Sequence, residues 1–176
     1  MDDRLETLEK QVQGRRDFDT PPKHLWHPPL SGDIPIVIRA DGRWYHDGGL
    51  IKRESLMRLF ASILRREEDG EYYLVTPAEK WRIAVELHPL LVTDVENTVE
   101  CGEPVLLATL NTGKSVTIDT DHPLFLEPLV GDIAVLQLDH GLTALFSRAA
   151  WYRLVAMAED AQVHSSGEVF SLLPAK

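Results

Sequence analysis

Apolar residues recur first at every second position, as in a strand, and then at the spacing of a helix, and this succession occurs twice along the chain. At positions 34, 36 and 38 every second residue is isoleucine, the period of a strand with one buried face. Asp41-Gly42 is typical of a hairpin turn, and a return strand starts at Arg43. Between residues 52 and 66 apolar positions recur at helical spacing, which predicts an amphipathic helix. A strand at residues 72–75 completes the unit.

The same succession is predicted again from residue 131 onwards. Its elements are strands at 133–138 and 142–146, a helix at 148–159 and a last strand at 169–173. Glycine, aspartate and arginine positions occur in matching order in both stretches, with Arg53 corresponding to Arg148. We interpret the match as a duplicated strand–strand–helix–strand unit, and we expect residues 32–75 and 131–173 to superpose.

The predicted fold class is α+β, with two small domains and mostly antiparallel sheets. Residues 32–80 form the first α+β unit, and residues 81–176 form a second domain that is β-rich before the second copy. Further strands are predicted at 83–87, 90–95, 104–110 and 115–118. Thr76-Pro77-Ala78-Glu79 has the form of a capping box. Because a strand pattern resumes at Ile83, it predicts a single capped turn.

An amphipathic helix and a proline-rich arm precede the first unit, within residues 1–31. Leu5, Leu8 and Val12 share one face of a helix predicted over residues 2–13. That face could be a dimer contact, or the helix could be a frayed terminus, because isolated helices of this length are marginal. Residues 19–30 contain four prolines, which predicts an extended arm. A homodimer is therefore one expectation about partners.

Composition narrows the class of protein. The chain has 176 residues, of which 44% are hydrophobic, as in soluble globular proteins. No apolar run approaches the roughly 20 residues of a membrane-spanning helix, and the acidic N-terminal stretch does not have the form of a secretory signal. Cys101 is the single cysteine, which favours a reducing, cytoplasmic location. The net charge of −10 argues against a protein that coats nucleic acid.

No complete catalytic motif, metal-ligand set or cofactor fingerprint occurs along the chain. His24 and His27 have ligand-like spacing but lack a nearby cysteine or carboxylate partner. Residues 112–115 end like a phosphate-binding loop, yet the first glycine of that motif is missing. We therefore expect no catalytic residue, no metal and no cofactor. An enzymatic alternative, a hydrolase or transferase, would use Glu79 or His122 as its acid or base.

Two arginines at helix starts carry the sharpest electrostatic expectation. Arg53 and Arg148 each stand at the N-terminus of a predicted helix, where a cation opposes the helix dipole. Each should therefore have an anionic partner. One candidate is internal, because Asp33 and Asp132 recur with the arginines, one in each copy. The other candidate is a bound phosphate, held by the arginine together with free helix N–H groups.

Several motifs along the chain together resemble a known family. In the first half they are Pro-Pro-x-His-Leu-Trp-x-Pro-Pro, Gly-Asp-Ile, Asp-Gly-x-Trp, Ile-x-Arg and Leu-Val-Thr-Pro-x-Glu-Lys. Residues 141–148 and Ser166-Gly167 extend the pattern into the second half. From Pro21 onwards the chain resembles the bacterial domain-of-unknown-function family twelve eighty-five.

The resemblance implies a fold and a general kind of site. It implies a two-domain α+β core with duplicated motifs, whose C-terminal part is superficially like a pleckstrin-homology fold. The family has no established activity, and the groove between its domains is suggested as a site for a nucleotide-like ligand in signalling. This chain departs from the duplicated pattern at residues 173–176, which lack the threonine and glutamate of the first copy. Any site on that turn therefore belongs to the first copy.

The function expected from these observations is non-enzymatic ligand binding in regulation or signal transduction. The partner would be an anionic small molecule, nucleotide-like in the sense that the resemblance implies, and bound between the two domains. The expected ligand-binding residues are Trp44, Arg53, Thr76, Glu79, Lys80, Arg148 and Tyr152. The arginines and the lysine would meet the anionic group, the threonine would donate a hydrogen bond, and Trp44 or Tyr152 would stack on a base. A further alternative is a protein-interaction module without a small ligand, which would recruit partners by an exposed strand edge.

Overall fold

The computed structural model describes residues 3–13 and 21–176, which form two compact units, Met1–Leu87 and His88–Lys176. We refer to them as the first and second domains. The first residue of the predicted N-terminal helix, Asp2, lies outside the described residues. Residues 19 and 20 of the predicted arm also lie outside them. No helix in the described ranges is long and apolar enough to cross a membrane.

The first domain contains a six-stranded mixed sheet. Its strands are β1 (Leu30–Ile38), β2 (Trp44–His46), β3 (Gly49–Leu50), β4 (Leu64–Arg66), β5 (Tyr72–Val75) and β6 (Lys80–Val85). They lie in the order β3-β2-β1-β6-β5-β4, and only the central pair, β1 and β6, is parallel. Helix α1 (Asp3–Gln13) precedes the sheet, and helix α2 (Glu54–Ser62) connects β3 to β4. Although the sequence predicts a boundary after residue 80, β6 belongs to this sheet, and the units divide after Leu87.

The second domain has a sheet of the same kind. Its strands are β7 (Leu90–Glu100), β8 (Glu103–Leu110), β9 (Ser115–Thr117), β10 (Leu124–Glu127), β11 (Ile133–Gln137) and β12 (Thr143–Phe146). They lie in the order β10-β11-β12-β7-β8-β9, again with one parallel pair at the centre, β12 and β7. Helix α3 (Arg148–Met157) follows β12, and a separate hairpin of β13 (Gln162–Ser165) and β14 (Glu168–Ser171) ends the fold.

The two domains are similar, and the expected α+β class is confirmed. In each sheet the first strand is central and the second and third lie progressively nearer one edge. The fourth strand forms the opposite edge, the fifth lies beside it, and the sixth is central, where it pairs in parallel with the first. The correspondence therefore runs from β1–β6 to β7–β12. The sequence match instead aligned β1 with β11. The predicted strand–strand–helix order is present in residues 32–75 and in residues 131–173. However, α2 lies between the third and fourth strands of the first sheet, whereas α3 follows the sixth strand of the second sheet. Local pattern does not specify which strand becomes the partner of another.

Helix ends and short strands differ from the sequence expectation where pairing between strands decides the conformation. Helix α2 is predicted to reach residue 66 but ends at Ser62, because Leu64 pairs with Leu74 of β5. Helix α3 begins at Arg148, as predicted, and ends at Met157, two residues before the expected end. Strand β10 has no counterpart among the predicted elements.

Each domain has its own buried core. In the first domain the rings of Trp44 and Phe60 stack with centroids 6.5 Å apart, and both side chains are buried. In the second domain Phe146 and Leu136 are buried within the sheet, and Ala150 and Leu154 of α3 are buried as well. Aromatic pairs of this kind add about 0.5–1.5 kcal/mol beyond the burial of their area.

Gly32 of β1 lies against the ring of Trp81, its partner residue in β6. Its φ is +140°, a conformation that side chains rarely adopt, and a Cβ there would lie 3.3 Å from the Trp81 ring. The parallel register between β1 and β6 is irregular on both sides of this position. Glycine therefore allows the first strand to approach the last one.

Two phenylalanines of the second domain, Phe146 and Phe125, differ in how deeply their side chains are buried. We expect Phe146→Ala to lower the free energy of unfolding of this domain by about 3–5 kcal/mol, since the residue is fully enclosed. Phe125→Ala, the same change at an exposed position of β10, should cost less than about 1 kcal/mol. Urea unfolding followed by circular dichroism measures both values. Equal costs at the two positions would contradict the described core.

Candidate functional site

The parallel pairing of β1 with β6 places charged residues side by side at one end of the first sheet. Asp33 is opposite Arg82, and Arg82 Nε donates to Asp33 Oδ1 over 2.7 Å. The hydrogen bond from Arg82 is the main reason that the pKa of Asp33 lies below its usual value. From the sequence, Asp33 is a candidate partner of Arg53. That expectation is wrong, because the strand register gives Asp33 a nearer cation.

The turn between β5 and β6 is held by Thr76. Its buried hydroxyl accepts hydrogen bonds from the backbone N–H of Glu79 at 3.0 Å and of Ala78 at 3.3 Å. This is the cap that the sequence predicts, but no helical turn follows because β6 begins at Lys80. The backbone N–H of Lys80 donates a hydrogen bond to the Ser31 hydroxyl over 3.2 Å.

The side chain of Lys80 belongs to a cluster of charged residues that also includes Glu67 and Arg65. Glu67 accepts from Lys80 Nζ at 2.9 Å and from Arg65 Nη2 at 2.5 Å. Lys80 Nζ also lies 4.7 Å from the centre of the Tyr73 ring. Burial raises the pKa of Glu67, but hydrogen bonds from Lys80 and Arg65 and their charges outweigh burial, so this pKa is lowered overall. Lys80 is therefore already paired with an anion of its own domain.

Tyr73 extends the cluster to the loop before β5. Its hydroxyl donates to Asp69 Oδ2 at 2.5 Å. This hydrogen bond is the main cause that raises the pKa of Tyr73 to about 12, and burial adds to it. The same bond lowers the pKa of Asp69. The phenol thus stays protonated at physiological pH and acts as a fixed donor.

The proline-rich arm is fastened to the same cluster. Lys23 is buried, and its Nζ donates to the backbone oxygen of Leu64 over 2.6 Å. Arg65 Nη1 donates to the backbone oxygens of Lys23 at 2.8 Å and of Trp26 at 2.9 Å. The predicted extended arm therefore has a polar anchor. Its histidines form no group of three or more potential metal ligands with other described residues.

Helix α1 contacts two of the expected ligand-binding residues, Arg53 and Glu79. Glu9 Oε1 accepts from Arg53 Nη2 at 2.6 Å, so the internal partner of Arg53 is Glu9. Gln11 Nε2 lies 3.3 Å from Glu79 Oε2, and the Trp81 indole N–H points to the same oxygen at 3.4 Å. Arg53 and Glu79 are thus both within reach of one short helix.

Trp44 lies in the core of the first domain. The ring is nearly inaccessible, and its indole N–H has no hydrogen-bond partner within the described ranges. In this position its face packs on Phe60 and is not presented to a base. Aromatic residues of strands can face either side, so the sequence alone does not distinguish these roles.

Arg148 and Tyr152 stand exposed on the first turns of α3. Ser147 caps the helix by accepting from the backbone N–H of Ala150 at 3.2 Å. Arg148 is the first helical residue, and among the described residues it makes no ion pair. Tyr152 lies four positions later and is 62% exposed. Residues at this spacing are neighbours on a helix surface, so Arg148 and Tyr152 share one face of α3.

A polar triad in the second domain, in which His88 and Thr143 are buried, is not predicted by the sequence. The ring of His88 lies between Thr143 Oγ1, 2.7 Å from Nδ1, and Glu127 Oε2, 2.9 Å from Nε2. A backbone hydrogen bond from Leu129 is the main cause that lowers the pKa of Glu127; burial opposes it and the His88 bond adds to it. The three residues are far apart in sequence, and no spacing in the chain indicates their contact.

His122, the other proposed acid or base, lies between two carboxylates. Its Nδ1 is 3.3 Å from Asp119 Oδ1, and its Nε2 is 3.3 Å from Asp139 Oδ1. Asp119 also accepts from the backbone N–H groups of Asp121 and His122, which closes a turn. The carboxylate that the turn brings to His122 is that of Asp119, three residues earlier in the chain. The arrangement orients the imidazole within a turn.

Known proteins similar to this chain share one family description. Residues 21–87 match the DUF1285 N-terminal domain and residues 89–172 the DUF1285 C-terminal domain, both described as of unknown function. A DUF1285 family protein from Silicibacter pomeroyi DSS-3 has a crystal structure similar to this one, with 36% sequence identity, a TM-score of 0.83 and 94% of each chain covered. One from Shewanella baltica OS155 has 31% identity and a TM-score of 0.60, covering 72% of this chain and 94% of that one. No curated protein matches the chain.

Neighbouring glutamates allow a test of the charged cluster. We expect Glu67→Gln to lower the free energy of unfolding of the first domain by about 1–3 kcal/mol at neutral pH, since two half-buried cations lose their carboxylate. Glu68→Gln, at the exposed next position, should have almost no effect.

The same pair of variants has a defined pH dependence. A glutamate whose folded pKa is lowered stabilises the protein above its unfolded pKa of about 4.3, and this contribution is lost as pH falls through the folded pKa. The loss of stability on acidification should therefore be shallower in Glu67→Gln than in the wild type or Glu68→Gln. Urea unfolding between neutral pH and pH of about 3 measures the slope. Identical slopes in all three proteins would contradict the role of Glu67.

Proposed function

The chain belongs to the DUF1285 family, and from that premise we propose that it is a regulatory binding protein for an anionic small molecule, with nucleotides as the first class to test. The family description specifies no activity, so the proposal rests on the exposed chemistry of this chain. A cytoplasmic location is part of the proposal. It is supported by the single cysteine, Cys101, which is exposed as a free thiol.

The observation that carries the proposal is the exposed pair of Arg148 and Tyr152 on α3. Arg148 can bind a phosphate in a bidentate manner, and the first amides of a capped helix add donors and a favourable dipole. The Tyr152 ring, one turn further along, offers a flat apolar face on which a base can stack. Of the expected binding residues, Arg148 and Tyr152 are those with exposed side chains that make no hydrogen bond or ion pair with other described residues.

The residues of the first domain have supporting roles in this proposal. Thr76 and Lys80 shape and hold the turn between β5 and β6 through internal bonds. Arg53 and Glu79 form a second polar surface, on which α1 now lies. Trp44 contributes by packing the core. We therefore assign direct ligand contact to Arg148 and Tyr152.

A second candidate function, protein interaction without a small ligand, is favoured by one observation. Strand β10 is an edge of the second sheet, with Phe125 exposed on it and Leu129 81% exposed directly after it. An uncovered edge with apolar side chains can accept an added strand from another protein. Such binding would depend on Phe125 and Leu129 and would be insensitive to Arg148.

Thermal unfolding with nucleotides tests the proposed function. We expect at least one member of a panel of mono-, di- and cyclic nucleotides to raise the melting temperature of the wild type, since a ligand at 100 times its Kd adds about 2.7 kcal/mol of stability. Arg148→Ala should keep the melting temperature of the free protein and lose this increase. Arg43→Ala, which removes another exposed arginine, is the matched control and should retain it.

Two results would contradict the proposal. One is a nucleotide-induced increase that is equal in the wild type and in Arg148→Ala. The other is the lack of any increase in the wild type, together with native mass spectra of protein from its own cells that show only the mass of the chain. A retained mass of nucleotide size in those spectra would support the proposal and identify the ligand.

A further inference from the structure

Helix α1 lies on the first domain in the manner of a bound peptide. Leu5, Leu8 and Val12 face inward, and Leu8 is fully inaccessible to solvent. Glu6 and Lys10, on other sides of the helix, are exposed. The apolar residues are spaced as i, i+3 and i+7, the pattern by which an amphipathic helix inserts into a groove. The apolar stripe that could have been a dimer contact is thus used within the chain.

Polar contacts at both sides of the apolar stripe fix the position of α1. Arg4 lies over the Trp81 ring, 5.6 Å from its centre, and Glu9 pairs with Arg53 at 2.6 Å. The Glu9 side chain is only 16% exposed, whereas that of Arg53 is 52% exposed. The positive end of α2 begins next to Arg53 and favours a carboxylate at this point. The groove therefore selects an acidic residue one position after its central leucine.

The rest of the first domain has bonds of its own that do not involve α1. The family match to the N-terminal domain begins at residue 21, after this helix. The arm is held by Lys23 and Arg65, and the sheet is held by its strand pairing. A free helix of about 11 residues is marginal in water, so α1 gains its order from the groove. The arm and the sheet of the first domain thus have contacts that do not pass through α1.

We propose that the groove lined by Arg53, Glu79 and Trp81 is a docking site for an amphipathic helix of a partner protein that places one carboxylate against Arg53, and that α1 is its built-in competitor. The partner helix has apolar residues at i, i+3 and i+7 and a carboxylate at i+4, as α1 has at Leu5, Leu8, Val12 and Glu9. Because α1 is tethered, it acts at a high effective concentration, on the order of millimolar. Only a helix that binds better than α1 displaces it, which makes the groove selective. This inference is independent of the proposed nucleotide site on α3.

Displacement can be measured on the full-length protein with a labelled peptide of residues 3–13. Leu8→Asp in the protein removes the central anchor of its own α1 and should free the groove. We expect this variant to bind the peptide at least about tenfold more tightly than the wild type does, by fluorescence anisotropy. The same peptide carrying Leu8→Asp should not bind. A Glu9→Gln peptide should bind more weakly than a Glu6→Gln peptide, which has the same change of charge on the exposed face.

A charge exchange provides a second test that leaves the core intact. Arg53→Glu changes an exposed side chain, and this protein should prefer a Glu9→Arg peptide over the unchanged peptide. The wild-type protein should have the opposite preference. A Leu8→Asp protein that retains its native melting behaviour but binds no peptide, together with no such change of preference, would show that α1 is only a structural element.

Sedimentation equilibrium distinguishes the occupant. With a partner helix as the natural occupant, both the wild type and Leu8→Asp should be monomeric at micromolar concentration. A wild-type dimer that is lost in Leu8→Asp would overturn the proposal, since the groove would then hold α1 of a second copy.

Discussion

The parallel pairing between the first and last strands of each six-stranded sheet is the constraint on which the other features depend. Parallel strands cannot be joined by a tight hairpin, so all intervening strands belong to one long crossover. In the first domain this pairing places Asp33 beside Arg82, and it brings Ser31 to the backbone of Lys80. In the second domain it brings His88 to Thr143. The polar contacts at the strand ends therefore follow from one backbone arrangement that occurs twice.

The two sheets use this arrangement differently at the surface. In the first domain α2 lies within the crossover, so that Arg53 at its start is reached by Glu9 of α1. In the second domain α3 begins where the central pair ends, and Ser147 bonds to the backbone of Val92 there. Arg148, the first residue of α3, is exposed and makes no ion pair with another described residue. Two arginines in similar local sequence thus have different electrostatic settings: Arg53 is paired with Glu9 of its own domain, whereas Arg148 makes no ion pair among the described residues.

Local sequence predicts most strands and, to within two residues, the starts of α2 and α3, but it does not predict the partners of their side chains. The isoleucine alternation in β1 and the cap at Thr76 depend on neighbours in the chain, and both are present. The end of α2 at Ser62 depends on β5, and the burial of Trp44 depends on Phe60. The pairing of Arg53 with Glu9 crosses much of the first domain, and the contacts of His88 cross much of the second. Such contacts arise from topology, which the strand–helix order leaves open.

Hydrogen exchange of backbone amides tests the central pairing most directly. Amides of β1 and β6 should exchange slowest in the first domain, and those of β7 and β12 slowest in the second, each pair with one common opening energy. The edge strands β3, β4, β9 and β10 should exchange earlier. A second domain in which β11, β12, α3 and the β13–β14 hairpin are protected together, while β7 exchanges independently of β12, would contradict this account. It would support the strand–strand–helix–strand unit as the true building block.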